Sequence, residues 1–396
     1  MNVTIIPGKL QGTVQAIPSK SFAHRLLILA AFGEKPVQLQ CADTNRDIEA
    51  TAACLRALGA EIHRTDTGYL VSPADCIPNT AVLFCGESGS TLRFMLPVVG
   101  ALGVDGRFIT EGRLSQRPLS PLWEEMERMG CSLFWEDSNT LCCSGKLQSG
   151  HYRINGSVSS QFITGLMLGL SLLPDKSELE ITGKLESAPY VAITADAMAS
   201  FGLSGKTLGG KTLATPSEIT VEGDWSNAAF FLTASALGSP VAVSGLNAAS
   251  IQGDRAVEQI LPLLDTGCPS ISARDIPDLV PILAVAAAGK HGAVFTDIQR
   301  LRLKESDRVL SVCDMLSALG IHTENDENSL RVFPGVFTGG TVDAVNDHRI
   351  AMAAAIAATT ASGPVTILGA ECVSKSYPHF WDDYRELGGN YEFDLR

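Results

Sequence analysis

The sequence predicts an α/β protein of two domains built from repeats, and three observations lead there. At 396 residues the chain exceeds what one hydrophobic core usually serves, so two domains are expected. Six helical patterns end on glycine and then run into extended segments, at Gly59, Gly130, Gly202, Gly267, Gly320 and Gly388, about 50 to 70 residues apart. Between these stops lies a second kind of helix, rich in Ala and Leu and nearly free of charge after its first turn. A helix apolar on all sides must be buried, whereas the glycine-terminated ones keep a polar face for solvent.

In chain order, residues 22–32 give the first apolar helix, and the amphipathic pattern closing at Leu58 stops at Gly59. A strand at 81–84 leads to the apolar helix 92–102 and the stop at Gly130. The third apolar helix, 162–173, runs into a strand at 178–182 and a stop at Gly202. Residues 217–221 form a strand, 228–237 the fourth apolar helix, and Val241–Ser244 another strand before Gly267. The last two apolar helices are 279–288, before Gly320, and 350–361, which is followed by the strand Val365–Leu368 and the stop at Gly388. Several strands alternate with period two, as half-buried strands do. Glycine at each stop supplies the left-handed conformation that turns a helix into a strand. Each repeat thus reads as strand, buried helix, strand, amphipathic helix, then strands.

Composition excludes several classes. With 45% hydrophobic and 18% charged residues the chain is an ordinary globular protein. Its net charge of -13 argues against nucleic acid, which needs a sustained basic face. The ten cysteines lack CxxC or Cys/His metal spacing, so they are expected to be reduced and buried, in a cytoplasmic protein. Residues 1–10 carry no signal-peptide pattern. The apolar stretches 162–173 and 281–288 fall short of the roughly 18 to 20 residues a membrane span requires. No His/Cys cluster has ligand spacing and no dinucleotide fingerprint occurs, so neither metal nor organic cofactor is expected.

The helix starts carry the chemistry. The apolar helices open with Ser19-Lys20-Ser21, residues 86–91, Ser159-Ser160-Gln161, Asp224-Trp225-Ser226, Asp278, and Asp347-His348-Arg349. Ser, Thr and Asp there are ordinary N-caps, which is the plain reading of the Asp224 set. Lys20, Gln161, His348 and Arg349 do not fit it, being long polar side chains on otherwise apolar helices. Residues 302–308 add a further basic cluster at a helix start. Cations there oppose the helix dipole unless an anion lies between them, which points to a small, multiply anionic substrate.

The motifs SKSFAHR at 19–25, GESGSTLR at 86–93, SQRP at 115–118, SSQF at 159–162, SAPY at 187–190, IPD at 276–278, KESDR at 304–308, NDHR at 346–349 and the late Lys375 occur in order over almost the whole chain. Together they closely resemble the EPSP synthase (3-phosphoshikimate 1-carboxyvinyltransferase) family. The resemblance implies transfer of the enolpyruvyl group of phosphoenolpyruvate to the 5-hydroxyl of shikimate 3-phosphate, with release of phosphate. It also implies two similar domains, each of three βαβαββ-type repeats packed as an inside-out α/β barrel around buried helices. One domain would be discontinuous, 1–17 plus 223–396, with 18–222 inserted, and the active site would lie in the cleft between them. A monomer acting on small molecules, away from membranes and nucleic acid, is expected.

Carried over residue by residue, the resemblance assigns shikimate 3-phosphate to Lys20, Ser21, Arg25, Ser159, Ser160, Gln161, Ser187, Tyr190, Asp278 and Lys304. It assigns phosphoenolpyruvate to Lys20, Gly89, Arg117, Gln161, Arg308, Arg349 and Lys375, where arginine suits bidentate pairing with carboxylate or phosphate. Ser90, Asp347 and His348 would support these groups. The addition–elimination chemistry needs a base and an acid on opposite sides of the reacting carbons. Asp278 is assigned as base on the 5-hydroxyl and Glu305 as proton donor to C3, with Lys20 stabilising charge or relaying a proton. Glu305 lies among cations that favour its ionised form, so desolvation would have to counter them.

Two residues depart from the family pattern. Glu87 stands where Asn is frequent, placing a carboxylate near an anion site, and it is left outside the expected contacts. Arg300 follows Gln299 where Asn or His is frequent. Arg93 and Arg113 read equally well as surface ion pairs. The rival functions are the sister enolpyruvyl transfer to UDP-N-acetylglucosamine, whose reactive loop cysteine has no convincing counterpart here, a non-catalytic phosphometabolite-binding protein, which predicts a missing acid or base although Asp278 and Glu305 are both present, and a repeat scaffold, which would not require polar residues at buried helix starts.

Overall fold

Six largely apolar and mostly buried helices form the cores, and five of them carry polar residues in the first turn. The six are Lys20–Ala31, Gly89–Leu102, Ser160–Ser171, Trp225–Ala236, Val280–Ala288 and His348–Ala358. Four of them start two or three residues before the first apolar residue, because the polar first turn is itself helical and leaves its N–H groups to other partners, and Trp225–Ala236 starts on Trp225 itself. Val280–Ala288 starts later, with Leu279 as N-cap and Pro281 in its first turn, where proline's fixed φ and missing N–H suit the helix. Asp278 therefore precedes that helix instead of opening it.

The computed structural model describes residues 1–205 and 207–394. The chain divides into two compact units, Met1–Ile17 with Gly223–Arg396, and Pro18–Glu222. Each has its own core around three of the buried helices. In the discontinuous unit these three all touch one another; in 18–222, Ser160–Ser171 touches both companions. The glycine-terminated helices Arg46–Ala57, Leu122–Arg128, Ala188–Ser200, Val257–Leu264, Arg308–Ala318 and Phe380–Glu386 flank them. Five of the stops have φ between 73° and 110°, whereas Gly267, at 155°, is nearly extended.

Among the described residues the strands form six sheets, three in each unit. One repeat shows the plan: Thr80–Gly86 pairs in parallel with Asp105–Thr110 across the helix Gly89–Leu102. Asp105–Thr110 then pairs antiparallel with Thr140–Gly145, and that strand with Cys131–Trp135. A parallel pair needs a crossover, and the buried helix supplies it. The sheet of Ser270–Ser272, Ala293–Thr296, Ser329–Val332 and Thr323–Asn325 repeats this pattern. Strands such as Thr80–Gly86 alternate exposed and buried residues, so one face of the sheet meets the helices and the other meets solvent.

All ten cysteines are free thiols, but Cys76 and Cys268 are exposed and Cys313 is half-buried. The expectation of burial thus fails at these positions; Cys76 and Cys268 lie in connecting loops, outside the packed strands and helices. Among the described residues no helix is long and apolar enough to cross a membrane.

Candidate active site

The expected residues fall into two groups, one in each unit. In 18–222 they gather at helix starts. Lys20 opens its helix and its Nζ lies 2.9 Å from Asp47 Oδ2, on the first turn of Arg46–Ala57. Gly89 opens the next buried helix, capped by Ser88, whose hydroxyl accepts from Thr91 N. A Cβ added at Gly89 would lie 2.7 Å from both Arg117 Nη1 and Arg93 Nη1, so a side chain here would displace one of two guanidinium groups. Arg93 Nη1 donates to Gln161 Oε1 at 2.9 Å, and Gln161 Nε2 donates to Ser90 Oγ at 3.0 Å. Arg93 Nη2 donates to Pro118 O, beside Arg117, at 3.1 Å. Gly89, Ser90, Arg117 and Gln161 therefore form one cluster, with Arg93 at its centre.

A second cluster in the same unit surrounds Arg25. Its buried guanidinium donates to Thr194 Oγ1 at 2.8 Å, Thr164 Oγ1 at 3.1 Å, Tyr190 O at 3.0 Å and Ser21 O at 2.5 Å. These acceptors are all neutral, so among the described residues a buried positive charge stands there without a carboxylate partner, and burial lowers its pKa below the ordinary arginine value. Such a charge favours an incoming anion. Ser159 caps Ser160–Ser171 by accepting from Gln161 N, and Ser160 is buried behind it. Ser187 is the N-cap of Ala188–Ser200, with φ of 55°, a region that non-glycine residues seldom occupy.

In the discontinuous unit the charges interlock. Asp278 Oδ1 lies 2.6 Å from Arg308 Nη1 and 3.4 Å from Lys304 Nζ, and its Oδ2 lies 3.3 Å from Arg349 Nη2. Arg308 reaches Glu305 Oε2 at 2.5 Å through Nη2 and Asp347 Oδ2 at 2.9 Å through Nε. Asp347 also accepts from Ser306 Oγ at 3.1 Å and caps its helix by accepting from Arg349 N at 3.0 Å. His348 is buried beside it. Lys375 Nζ donates to Asn346 O at 2.8 Å. Val345 and Asn346 both have positive φ, 45° and 58°, a strained turn for a β-branched residue that sets this carbonyl.

Burial pushes the Asp278 carboxyl up, but Arg349, Lys304 and Arg308 outweigh it and hold the group well below the usual carboxylate range. Burial brings the Lys304 ammonium down to about 8, with Asp278 opposing. The sequence placed a substrate anion between these cations. In the structure the intervening anions are the chain's own Asp278, Glu305 and Asp347, an equal charge to Lys304, Arg308 and Arg349. The reason is topological: residues distant in sequence meet at one end of the unit.

Three residues near these clusters escaped the sequence reading. Asp47 carries no signal in sequence beyond being an acid near a helix start, and Arg93 reads there equally well as a surface ion pair. Asp254 sits in a 3-10 turn, and burial together with the negative charge of Asp278 pushes it up to about 7. Glu87 turns its carboxylate toward Gly112, where an added Cβ would come within 2.7 Å of Oε2. Arg113 is exposed, and Arg300 is close enough to lower the Lys304 pKa further.

The chain matches the family described as EPSP synthase (3-phosphoshikimate 1-carboxyvinyltransferase) over residues 5–267 and 266–384. It is similar to the 3-phosphoshikimate 1-carboxyvinyltransferase of Clostridium kluyveri, with 38% identity over 98% of this chain and 97% of the relative. The protein of that name from Clostridium perfringens is 36% identical, with 98% of each chain covered. Among solved structures, EPSP synthase from Acinetobacter baumannii matches with a TM-score of 0.80 at 22% identity, over 99% of this chain and 100% of that one. The enolpyruvyl transferase NikO from Streptomyces tendae gives 0.75 at 19%, over 99% and 98%. At these identities the structural likeness is one of fold.

Proposed function

The chain belongs to the EPSP synthase family, and on that premise we propose that it transfers the carboxyvinyl group of phosphoenolpyruvate to the 5-hydroxyl of shikimate 3-phosphate and releases phosphate. Likeness along the full length carries the assignment: a relative named for this activity is 38% identical over 98% of the chain.

In the proposed reaction the 5-hydroxyl oxygen bonds to C2 of phosphoenolpyruvate while C3 gains a proton, giving a tetrahedral adduct. The C2–O bond to phosphate then breaks and C3 returns its proton. Asp278 takes the hydroxyl proton, Glu305 serves C3, and Lys20 offsets the developing charge. Asp278, held by three cations, is a weak base as it stands. Substrate phosphate and carboxylate offer Arg308 and Arg349 stronger partners, and moving those guanidinium groups off Asp278 raises its proton affinity when the hydroxyl arrives. Arg25, Lys20, Lys304 and the serine-bearing helix starts hold shikimate 3-phosphate. Arg117, Gln161, Arg308, Arg349 and Lys375 hold phosphoenolpyruvate. We place the enzyme in the cytoplasm as a monomer, in keeping with its free thiols and acidic charge.

The test is phosphate release with phosphoenolpyruvate and shikimate 3-phosphate, run beside the same assay with UDP-N-acetylglucosamine. Release with the shikimate ester alone is expected. Release with neither would remove the enzyme assignment, and release only with the UDP sugar would move it to the sister reaction.

A further inference from the structure

The helix that carries Lys20 lacks one ordinary support. Ser19 occupies its N-cap but makes no side-chain capping bond. The earliest N–H groups of a helix lack intrahelical acceptors; here Phe22 N and Ala23 N donate to Ser19 O at 3.1 and 2.9 Å, and side-chain ties to the neighbouring helix hold the start further. One tie is the ion pair of Lys20 with Asp47. A second lies one helical turn deeper: His24 Nδ1 and Thr51 Oγ1 are 2.7 Å apart. Lys20 and His24 are four apart on one helix and Asp47 and Thr51 four apart on the other, so the two contacts stack as rungs between the same pair of helices. Thr51 Oγ1 continues to Thr91 Oγ1 at 2.8 Å, and Thr91 Oγ1 to Ser88 Oγ at 2.8 Å. The lower rung thereby also fixes the cap of the helix that opens at Gly89.

His24, Thr51 and Thr91 are all buried, so water does not substitute for a lost partner. His24 Nε2 has no hydrogen-bond partner among the described residues, and the ring meets Phe94 edge-on at 6.1 Å between centroids. Only Nδ1 is used. Burial, with Lys20 and Arg25 nearby, holds the imidazole pKa well below its ordinary value, so the ring is neutral.

We infer that His24 is a positioning residue for Lys20: its Nδ1 contact to Thr51 locks the Lys20 helix against the Asp47 helix and so places the ammonium for the substrate anions. This rests on the reading that Lys20 meets shikimate 3-phosphate. It requires a group at the Nδ1 position that hydrogen-bonds Thr51, and nothing from Nε2.

The experiment measures shikimate 3-phosphate affinity by calorimetry for the wild-type protein and for His24→Leu, His24→Asn and His24→Gln, each also in a Lys20→Ala background. Asn places its amide near the Nδ1 position and Gln near Nε2. His24→Leu and His24→Gln should weaken binding about fivefold when Lys20 is present, His24→Asn by less than twofold, and none further once Lys20 is removed. Thr51→Val cuts the same rung from the other side and should match His24→Leu, which keeps the test available if the leucine protein does not fold. Equal weakening in both backgrounds, or no rescue by asparagine, would make His24 a folding residue only and overturn the inference. Absence of binding by the wild-type protein would instead overturn the reading of the site.

Discussion

Asp278 meets Arg308, Arg349 and Lys304 at once, and that sets what its removal does. Asp278→Asn keeps the volume but cannot take a proton, so kcat should fall by about 10²- to 10⁴-fold, the range of general-base catalysis. Three cations lose a counter-charge in the same variant, so shikimate 3-phosphate affinity should hold or tighten. A parallel loss of affinity and turnover would show that Asp278 binds substrate without acting as base. Lys304 gives the pH dependence. Burial brings it down to about 8, so it is charged below that pH and neutral above it. Shikimate 3-phosphate affinity should therefore weaken as pH rises past 8, binding near pH 8 should take up a proton, and Lys304→Arg should remove the alkaline limb. Affinity flat from pH 7 to 9.5 in the wild-type protein would separate Lys304 from the anion. At this scale the sequence exposed the cations, because lysine or arginine at the start of an apolar helix is locally anomalous. It hid their partners: Asp47 and Lys20 lie on separate helices, and no local pattern shows that Asp278, Glu305 and Asp347 balance the charge.

The helix pair Gly89–Leu102 and Ser160–Ser171 carries Gly89, Ser90 and Gln161, and it packs backbone to backbone at Gly165 and Gly169. A Cβ at Gly165 would intrude on the Arg93 carbonyl oxygen and lie 3.1 Å from Pro97 Cγ, and one at Gly169 would lie 2.6 Å from Pro97 O. Two effects oppose each other in Gly165→Ala. Helix propensity favours alanine by about 1 kcal/mol. Overpacking of a tight contact costs about 1–3 kcal/mol, and here the obstacle is backbone that cannot rotate away. Overpacking should win, lowering the melting temperature by several degrees. Gln161 lies one turn from Gly165, so the forced separation should also raise KM for phosphoenolpyruvate; a higher melting temperature with unchanged KM would show that the helices part freely. The elements themselves were largely legible. Six apolar helices and six glycine stops mark the repeats by composition alone, and strands such as Val241–Ser244 and Val365–Leu368 fall where alternation places them. The polar residues placed at the helix openings fall there except at Asp278, which precedes Val280–Ala288, and the close approach at Gly165 and Gly169 depends on a partner backbone that no local pattern shows.

At the scale of the molecule, the two units have separate hydrophobic cores, and the one formed by 18–222 draws on no residue outside that span. Its last strand, Glu218–Thr220, pairs in parallel with Val37–Gln40, and Ser19 N donates to Glu222 O at 2.8 Å, so both ends of the segment are tied into its own sheet and helix start. A segment of this length buries about two thirds or more of its unfolded surface, enough for independent folding. Residues 18–222 expressed alone should therefore melt cooperatively. The proposed site divides unevenly between the units. Of the residues assigned to shikimate 3-phosphate, only Asp278 and Lys304 lie outside 18–222, whereas those proposed for phosphoenolpyruvate also include Arg308, Arg349 and Lys375 of the other unit. The isolated segment should thus keep measurable affinity for shikimate 3-phosphate, weakened about tenfold or more by losing Lys304, at about 1.4 kcal/mol per tenfold. It should release no phosphate, since the base, the C3 proton donor and three of the phosphoenolpyruvate contacts are absent. Calorimetry with the ester and a phosphate-release assay decide it. A folded segment that binds no ester would place the ester's main contacts in the other unit, and turnover by the segment alone would remove Asp278 and Glu305 from the chemistry.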